Sequence, residues 1–340
     1  MADFDTLTKD MWEKSFTDTV FYDQPFMRKL MAMKSIDLKG QAIMWAVTKA
    51  DLSSQVEWYG ANDRIQPQRV STKDTLTMNY KRAREPLLMT KDEYKMTRGM
   101  QYTNIDFVKE KVREADMGFR IAMGKALWET AGLGADVSGD QLIGIRSAVT
   151  EDATYGGKTR TDLTTNVHLQ SASFDATYAD QDDARSANIA NFRKALRKTA
   201  IYANREGIPT DQMLALVGGD LYDSLKGQAE SQATYKGEND MLKYGFQSFS
   251  LDGVDFVWMT SWDVLGTTDD SVDLTTCFGL FNMRTWKFKF AEGEAFTWGG
   301  WEYQGRHIGG VAQYLNMLEV CCALYCMNPR LNFWNTAWSA

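Results

Sequence analysis

The sequence predicts an α+β fold drawn out into long extensions, and three observations predict it. Apolar residues recur in steps of three and four without a break over about Asn104 to Ala131, the signature of one long helix. Strict two-residue alternation marks strands on both sides of it, around residues 43–47 and 76–80 and again from Phe246 onward. Helices and strands are grouped rather than alternating in βαβ units. No period of 20–50 residues repeats, so the chain is not a solenoid.

Residues 1–40 form an N-terminal arm. Met11, Trp12, Phe16, Val20 and Phe21 recur at helical spacing, Pro25 interrupts, and Phe26, Leu30 and Met33 begin a second short stripe. Aromatic residues this dense need a surface to cover, either the chain's own core or a neighbouring subunit. Residues 41–98 read as a two-stranded ribbon: Ile43, Trp45 and Val47 alternate with Met44 and Ala46, and Leu76, Met78 and Tyr80 return among Thr75, Thr77 and Asn79. Gly60, Asn62, Asp63 and Pro67 supply the turn. About fifteen residues at ~3.3 Å each give an arm near 50 Å, and an isolated hairpin is only marginally stable in water.

The long helix carries Ile105, Val108, Val112, Ala115, Phe119, Ala122 and Ala126 on one face. Thr103 with Asp106 is its expected N-cap and Gly132 its expected C-cap. Residues 132–185, rich in Gly, Asp, Ser and Thr, read as loops with one or two short strands. A second helix over Ser186–Glu206 shows Ile189, Phe192, Leu196 and Ala203 on one face and ends at Gly207. A buried strand (Met213–Val217) and a short helix (Asp220–Lys226) follow. Val254, Phe256 and Trp258, then Trp286, Phe288 and Phe290, then Val320, Cys322, Leu324 and Cys326 mark the remaining strands, closed by Asn328-Pro329.

The 340 residues are 44% hydrophobic and 24% charged, ordinary globular values. No apolar run approaches the ~20 residues of a spanning helix, and Met1–Asp10, with three acidic residues, lacks the apolar core of a secretory signal. A formal net charge of -7 argues against a protein that grips nucleic acid through a basic face, though not against a wall that encloses it. Cys277, Cys321, Cys322 and Cys326 contain no CxxC pair. They read as small apolar fillers of a buried strand in a reducing compartment. Two histidines, His168 and His307, make a histidine-based active site a poor reading.

The chemistry-bearing motifs are missing. There is no phosphate-binding GxxxxGK[ST] loop and no GxSxG elbow, and Gly132 and Gly134 lack the rest of a dinucleotide fingerprint. Asp182-Asp183 and Asp269-Asp270 read as solvated carboxylates rather than a metal site. Asp220 and Asp223 match the charge preference of a helix N-terminus. No cofactor, metal or catalytic residue is expected. Charge is distributed unevenly instead. Residues 61–98 hold nine Lys or Arg against five Asp or Glu, net +4; residues 207–276 hold three against twelve, net -9. Oppositely charged surfaces of this kind complement each other between subunits.

The order of these elements resembles that of the tailed-bacteriophage major capsid proteins of the Hong Kong 97 type. Tyr80–Pro86 followed by Thr90-Lys91-Asp92-Glu93 resembles the return of that family's E-loop into its spine helix. Leu127–Gly132 and then Leu142-Ile143-Gly144-Ile145 resembles the passage out of the spine helix. Ile208-Pro209-Thr210-Asp211 resembles the start of the axial domain, and Asn328-Pro329-Arg330 the closing strand. The resemblance implies an N-terminal arm (1–40), an extended β-hairpin E-loop (41–98) lying on a neighbour, a P-domain with the spine helix (99–206), an A-domain (207–276) near the capsomer axis, and a C-terminal return to the P-domain (277–340). It implies a homo-oligomer of hexamers and pentamers in a virion's icosahedral shell, assembled in the host cytoplasm and enclosing double-stranded DNA without sequence-specific binding. A separate scaffolding protein, a portal and a decoration protein are the expected partners, and no membrane is involved. A ribbon beginning near residue 41 leaves no room ahead of it for the long removable scaffolding segment of many members. The expected inter-subunit contacts are Trp12, Phe16, Trp45, Arg64, Arg69, Leu76, Met78, Tyr80, Arg82 and Arg84. An encapsulin-like cargo shell shares the fold and is the alternative; a soluble enzyme with a carboxylate-based site is the reading from another class.

Overall fold

The apolar alternation at the C-terminal end of the chain builds the longest strand, and most of the fold is arranged around it. The computed structural model describes residues 24–34, 36–37, 43–48, 56, 58, 73–90, 101–128, 141–149, 154–159, 189–231, 247–267, 273–299, 302–304 and 313–335. In chain order these form α1 (Pro25–Ala32), β1 (Ile36–Asp37), β2 (Ile43–Thr48), β3 (Lys73–Met78), β4 (Lys81–Thr90), α2 (Gln101–Trp128), α3 (Ile145–Val149), β5 (Thr154–Tyr155), β6 (Lys158–Thr159) and α4 (Ile189–Glu206). There follow β7 (Met213–Val217), α5 (Gly219–Ser231), β8 (Ser248–Leu251), β9 (Val254–Trp258), α6 (Thr260–Leu265), β10 (Phe278–Asn282), β11 (Trp286–Phe290), β12 (Thr297–Trp298), β13 (Glu302–Gln304), β14 (Gln313–Cys326) and β15 (Phe333–Asn335).

A six-stranded sheet is organised on β14. Strands β11, β12 and β13 pair with it antiparallel, β1 adds parallel to β11, and β4 pairs with β14 in an unbroken register from Lys81↔Cys322 to Thr90↔Gln313. The ribbon therefore departs from the expected single hairpin. Only β2 and β3 pair as one, from Ile43↔Met78 to Thr48↔Lys73. After Asn79-Tyr80 the returning chain leaves its partner and joins β14. Leu87 and Met89 explain the change, because both are buried on β4 as it joins the six-stranded sheet. Trp12 and Phe16 of the arm, and Arg64 and Arg69 of the ribbon, lie outside the described residues.

The long helix α2 spans 28 residues, about 42 Å at 1.5 Å per residue. It begins at Gln101, so Thr103 lies inside it and is not its N-cap; Gly132 lies outside the described residues, as do the side chains of Ile105, Val108 and Val112. Its buried face is Ala115, Phe119, Met123 and Leu127, whereas Ala122 is exposed. The regular four-residue step puts the larger methionine inward in place of that alanine. Pro25 opens α1, the second stripe expected from Phe26 and Leu30, after an extended Gln24, and a missing N–H costs nothing at that position; the first stripe, Met11 to Phe21, lies outside the described residues.

The second sheet has the order β15-β10-β7-β9-β8, and within it only β7 and β9 run parallel. It separates two apolar cores. Met213, Ala215 and Val217 pack with Ile189 and Phe192 of α4 and Leu221 and Leu225 of α5. Leu214 and Leu216 face the other way, into the core of α1, α2 and the six-stranded sheet. Burial on both faces is why β7 reads as a uniform apolar run rather than an alternation. Helix α5 runs from Gly219 to Ser231, longer than the Asp220–Lys226 expected. Asp263 holds its first turn, accepting from the Gly219 N–H at 3.2 Å and the Trp258 indole at 2.6 Å. Strands β10 and β15 come from beyond residue 276, so the segment 207–276 does not complete this sheet alone.

A buried asparagine ties the two sheets together. Asn332 is 0% exposed. Its carbonyl accepts from the Asn282 backbone N–H at 3.0 Å and the Trp286 indole at 2.9 Å, and its amide donates to the Asn328 carbonyl at 3.1 Å. Asn282 ends β10 in one sheet and Trp286 begins β11 in the other.

Candidate assembly surfaces

The ribbon's base is anchored inside its own chain. Ile43, Trp45, Val47, Leu76 and Met78 are all buried in the larger core. The Trp45 ring packs 4.9 Å from that of Tyr325 and 6.1 Å from that of Tyr155. Leu76 lies against Gly156, whose φ of +59° keeps the β5–β6 turn close to the ribbon. The expectation that Trp45, Leu76 and Met78 face a neighbouring subunit is therefore corrected: hydrophobic burial has already used them within the chain. Tyr80 is half-buried against the same core.

Beyond this base the ribbon presents what its base lacks. Val56 is 69% exposed and Trp58 is 98% exposed. A bare indole is the largest apolar group a surface can offer, and neither residue was among the expected contacts. The alternation Val56-Glu57-Trp58 in a Ser- and Gln-rich stretch was the available signal.

Arg82 and Arg84 both lie exposed on β4. Arg82 reaches Glu294 of its own chain at 3.3 Å, and its hydrogen bond to the Cys321 thiol, aided by Glu294, holds its pKa above the ordinary arginine value. Part of the ribbon's positive charge is thus matched within the chain. The opposite face of β4 meets α2 at Gly118. A Cβ at Gly118 would lie 2.7 Å from the Glu85 carboxylate, so any larger residue there would make that carboxyl swing aside. Burial there pushes the Glu85 carboxyl above its usual range. Between β4 and α2 runs an open groove of about 530 Å³. The outer face of α2 also shows Met117 and Ile121, 57% and 61% exposed.

All four cysteines are free and buried, and burial pushes the Cys322 thiol far above its ordinary value. Among the described residues no group of three or more His, Cys, Asp or Glu is placed to hold a metal, and no helix is long and apolar enough to cross a membrane. What these residues form is a set of exposed apolar and charged surfaces on a double apolar core.

This architecture is the Hong Kong 97-type coat fold of phage capsid proteins. The subunit of the cyanophage A-1(L) capsid superposes with a TM-score of 0.61 at 14% identity, over 94% of both chains. The capsid of a native GTA particle matches with a TM-score of 0.49 at 10% identity, covering 90% of this chain and 88% of that one. The cyanophage Pam1 capsid matches at 0.47 and 12% identity, over 88% and 86%. The fold assignment rests on the first of these. No protein-family model and no curated protein matches the chain.

Proposed function

We propose that this chain is a structural major capsid protein, self-assembling into hexamers and pentamers of an icosahedral shell that encloses phage DNA. The observation that carries the reading is the agreement of the backbone with a cyanophage capsid subunit across nearly the whole of both chains. The exposed Trp58 and Val56 support it, because apolar side chains this exposed have surface to offer a neighbour. The chain then acts as a wall and not as an enzyme. Its segments serve as arm (1–40), E-loop (41–98), P-domain (99–206 with 277–340) and A-domain (207–276, completed by β10 and β15). Trp12, Phe16, Arg64, Arg69, Tyr80, Arg82 and Arg84 remain the proposed contacts between subunits, joined by Val56 and Trp58. A scaffolding protein, a portal and a decoration protein complete the particle. Sedimentation of the purified chain at micromolar concentration, with scaffold added where needed, is expected to show species of megadalton mass. A monomer under every such condition would refute the reading.

A further inference from the structure

We propose that the groove between β4 and α2 binds a linear zwitterion, with an ammonium group at one end, a carboxylate at the other and an apolar body between them. The groove holds about 530 Å³, within the roughly 300–1,000 Å³ of small-molecule sites. It is complete in a single chain and needs no assembly to form.

Its two ends differ in charge. Glu85 marks one end, half-buried with its carboxylate against Gly118. Among the described residues nothing donates a hydrogen bond to that carboxylate or pairs with it, and burial raises its pKa with no nearby cation to offset the cost. A carboxylate taken out of water without a partner is costly, and an incoming ammonium group supplies both the missing charge and the missing donors. Lys81 and Lys125 mark the other end. Every α2 residue that lines the groove lies at or after Gly118, and every β4 residue except Pro86 lies at or before Glu85. The groove therefore extends to one side of the Glu85–Gly118 contact only. Lys81 is four residues from Glu85 on the same face of β4, ~13 Å at ~3.3 Å per residue. Lys125 is seven residues beyond Gly118, ~10 Å at ~1.5 Å per residue and on nearly the same side of the helix. Phe119, Ala122 and Met123 supply the apolar wall between the ends. A ligand with the same charge at both ends meets repulsion at one of them, whereas a zwitterion of this length matches both. An extended tripeptide spans ~10 Å, and an ω-amino acid on an eight-carbon chain is of similar length. The two share the chemistry the groove recognises.

Isothermal titration calorimetry of the unassembled chain, at neutral pH and low salt, tests this with two probes, 8-aminooctanoate and the free tripeptide alanyl-leucyl-alanine. Octanoate and 1,8-diaminooctane are the controls, each lacking the matching charge at one end. Saturable one-to-one binding of a zwitterion is expected, at least ~10-fold tighter than either control, because a mismatched charge is what discriminates. Binding of 8-aminooctanoate alone assigns the groove to amino acids with a long apolar chain; binding of the tripeptide alone assigns it to short peptides. Glu85→Gln keeps the shape and removes the charge, and should weaken zwitterion binding by ~10-fold or more. Lys125→Glu, at an exposed position, should weaken the zwitterions and tighten 1,8-diaminooctane, a gain that misfolding would not produce. No saturable binding of either zwitterion at millimolar concentration, equal affinity for the controls, or undiminished binding to Glu85→Gln would overturn the proposal.

Discussion

Replacing Asn332 by alanine should destabilise the unassembled chain more than any single surface change. The side chain is fully buried, and its carbonyl satisfies two buried donors, the Asn282 N–H at 3.0 Å and the Trp286 indole N–H at 2.9 Å. Alanine leaves both without that acceptor, and each buried unsatisfied donor costs ~1–3 kcal/mol. The lost amide contact to the Asn328 carbonyl and the small cavity bring the expected total to about 3–5 kcal/mol. Unfolding entropy near 2.1 cal/mol/K per residue gives roughly 0.7 kcal/mol per degree for a chain of this length, so Tm should fall by about 4–7 °C. Calorimetry on unassembled protein measures this, with Asn204→Ala on the exposed face of α4 as the control. A shift within ~1 °C of the control would refute the idea that this amide joins the two sheets.

Trp45→Ala should lower the Tm of the unassembled chain, by about 3–5 kcal/mol of stability, because that ring is packed against Tyr325 and Tyr155 of its own chain; an effect confined to assembled particles would contradict its placement. Glu206 lies half-buried with its carboxylate accepting from the Asn328 amide, and burial raises its pKa against the opposing pull of Arg330. Its charged form therefore costs stability at neutral pH, and that cost disappears as pH falls through the raised folded value towards the unfolded one. Tm should rise between pH 7 and about pH 5, and Glu206→Gln should flatten that rise; an unchanged slope would rule the group out. Arg82→Glu with Arg84→Glu should slow assembly at low salt and recover at 1 M, where screening shortens to ~3 Å, with little change in the melting of the unassembled chain. A salt-independent assembly defect would show that these arginines act through packing.

Periodicity was enough to place the two long helices and the strands with one apolar face: β9 and β11 stand where the alternation of Phe256 and of Phe288 put them, whereas the short helices α3 and α6 and several short strands were not named. Two kinds of information were not local. The break of the ribbon at Asn79-Tyr80 depends on β4 finding β14, more than two hundred residues away in sequence, and no feature of Lys81–Thr90 names that partner. The inward turn of Trp45, Leu76 and Met78 was legible as a one-sided apolar face, but whether the covering surface belonged to the same chain or to a neighbour was not. Trp58 was legible as a residue and invisible as a site, since exposure emerges only when the rest of the core has been filled. Gly118 and Glu85 are related in the same way, through a contact between a strand and a helix that neither segment encodes alone.

The most direct test of the central claim is an electron micrograph of the purified chain under assembly conditions, with scaffold present if it is required. Closed shells of uniform diameter, reconstructing into hexamers and pentamers with the six-stranded sheet and α2 in each subunit, are the predicted result. Monomers, or irregular aggregates that never close, across every condition of salt, concentration and scaffold would contradict it.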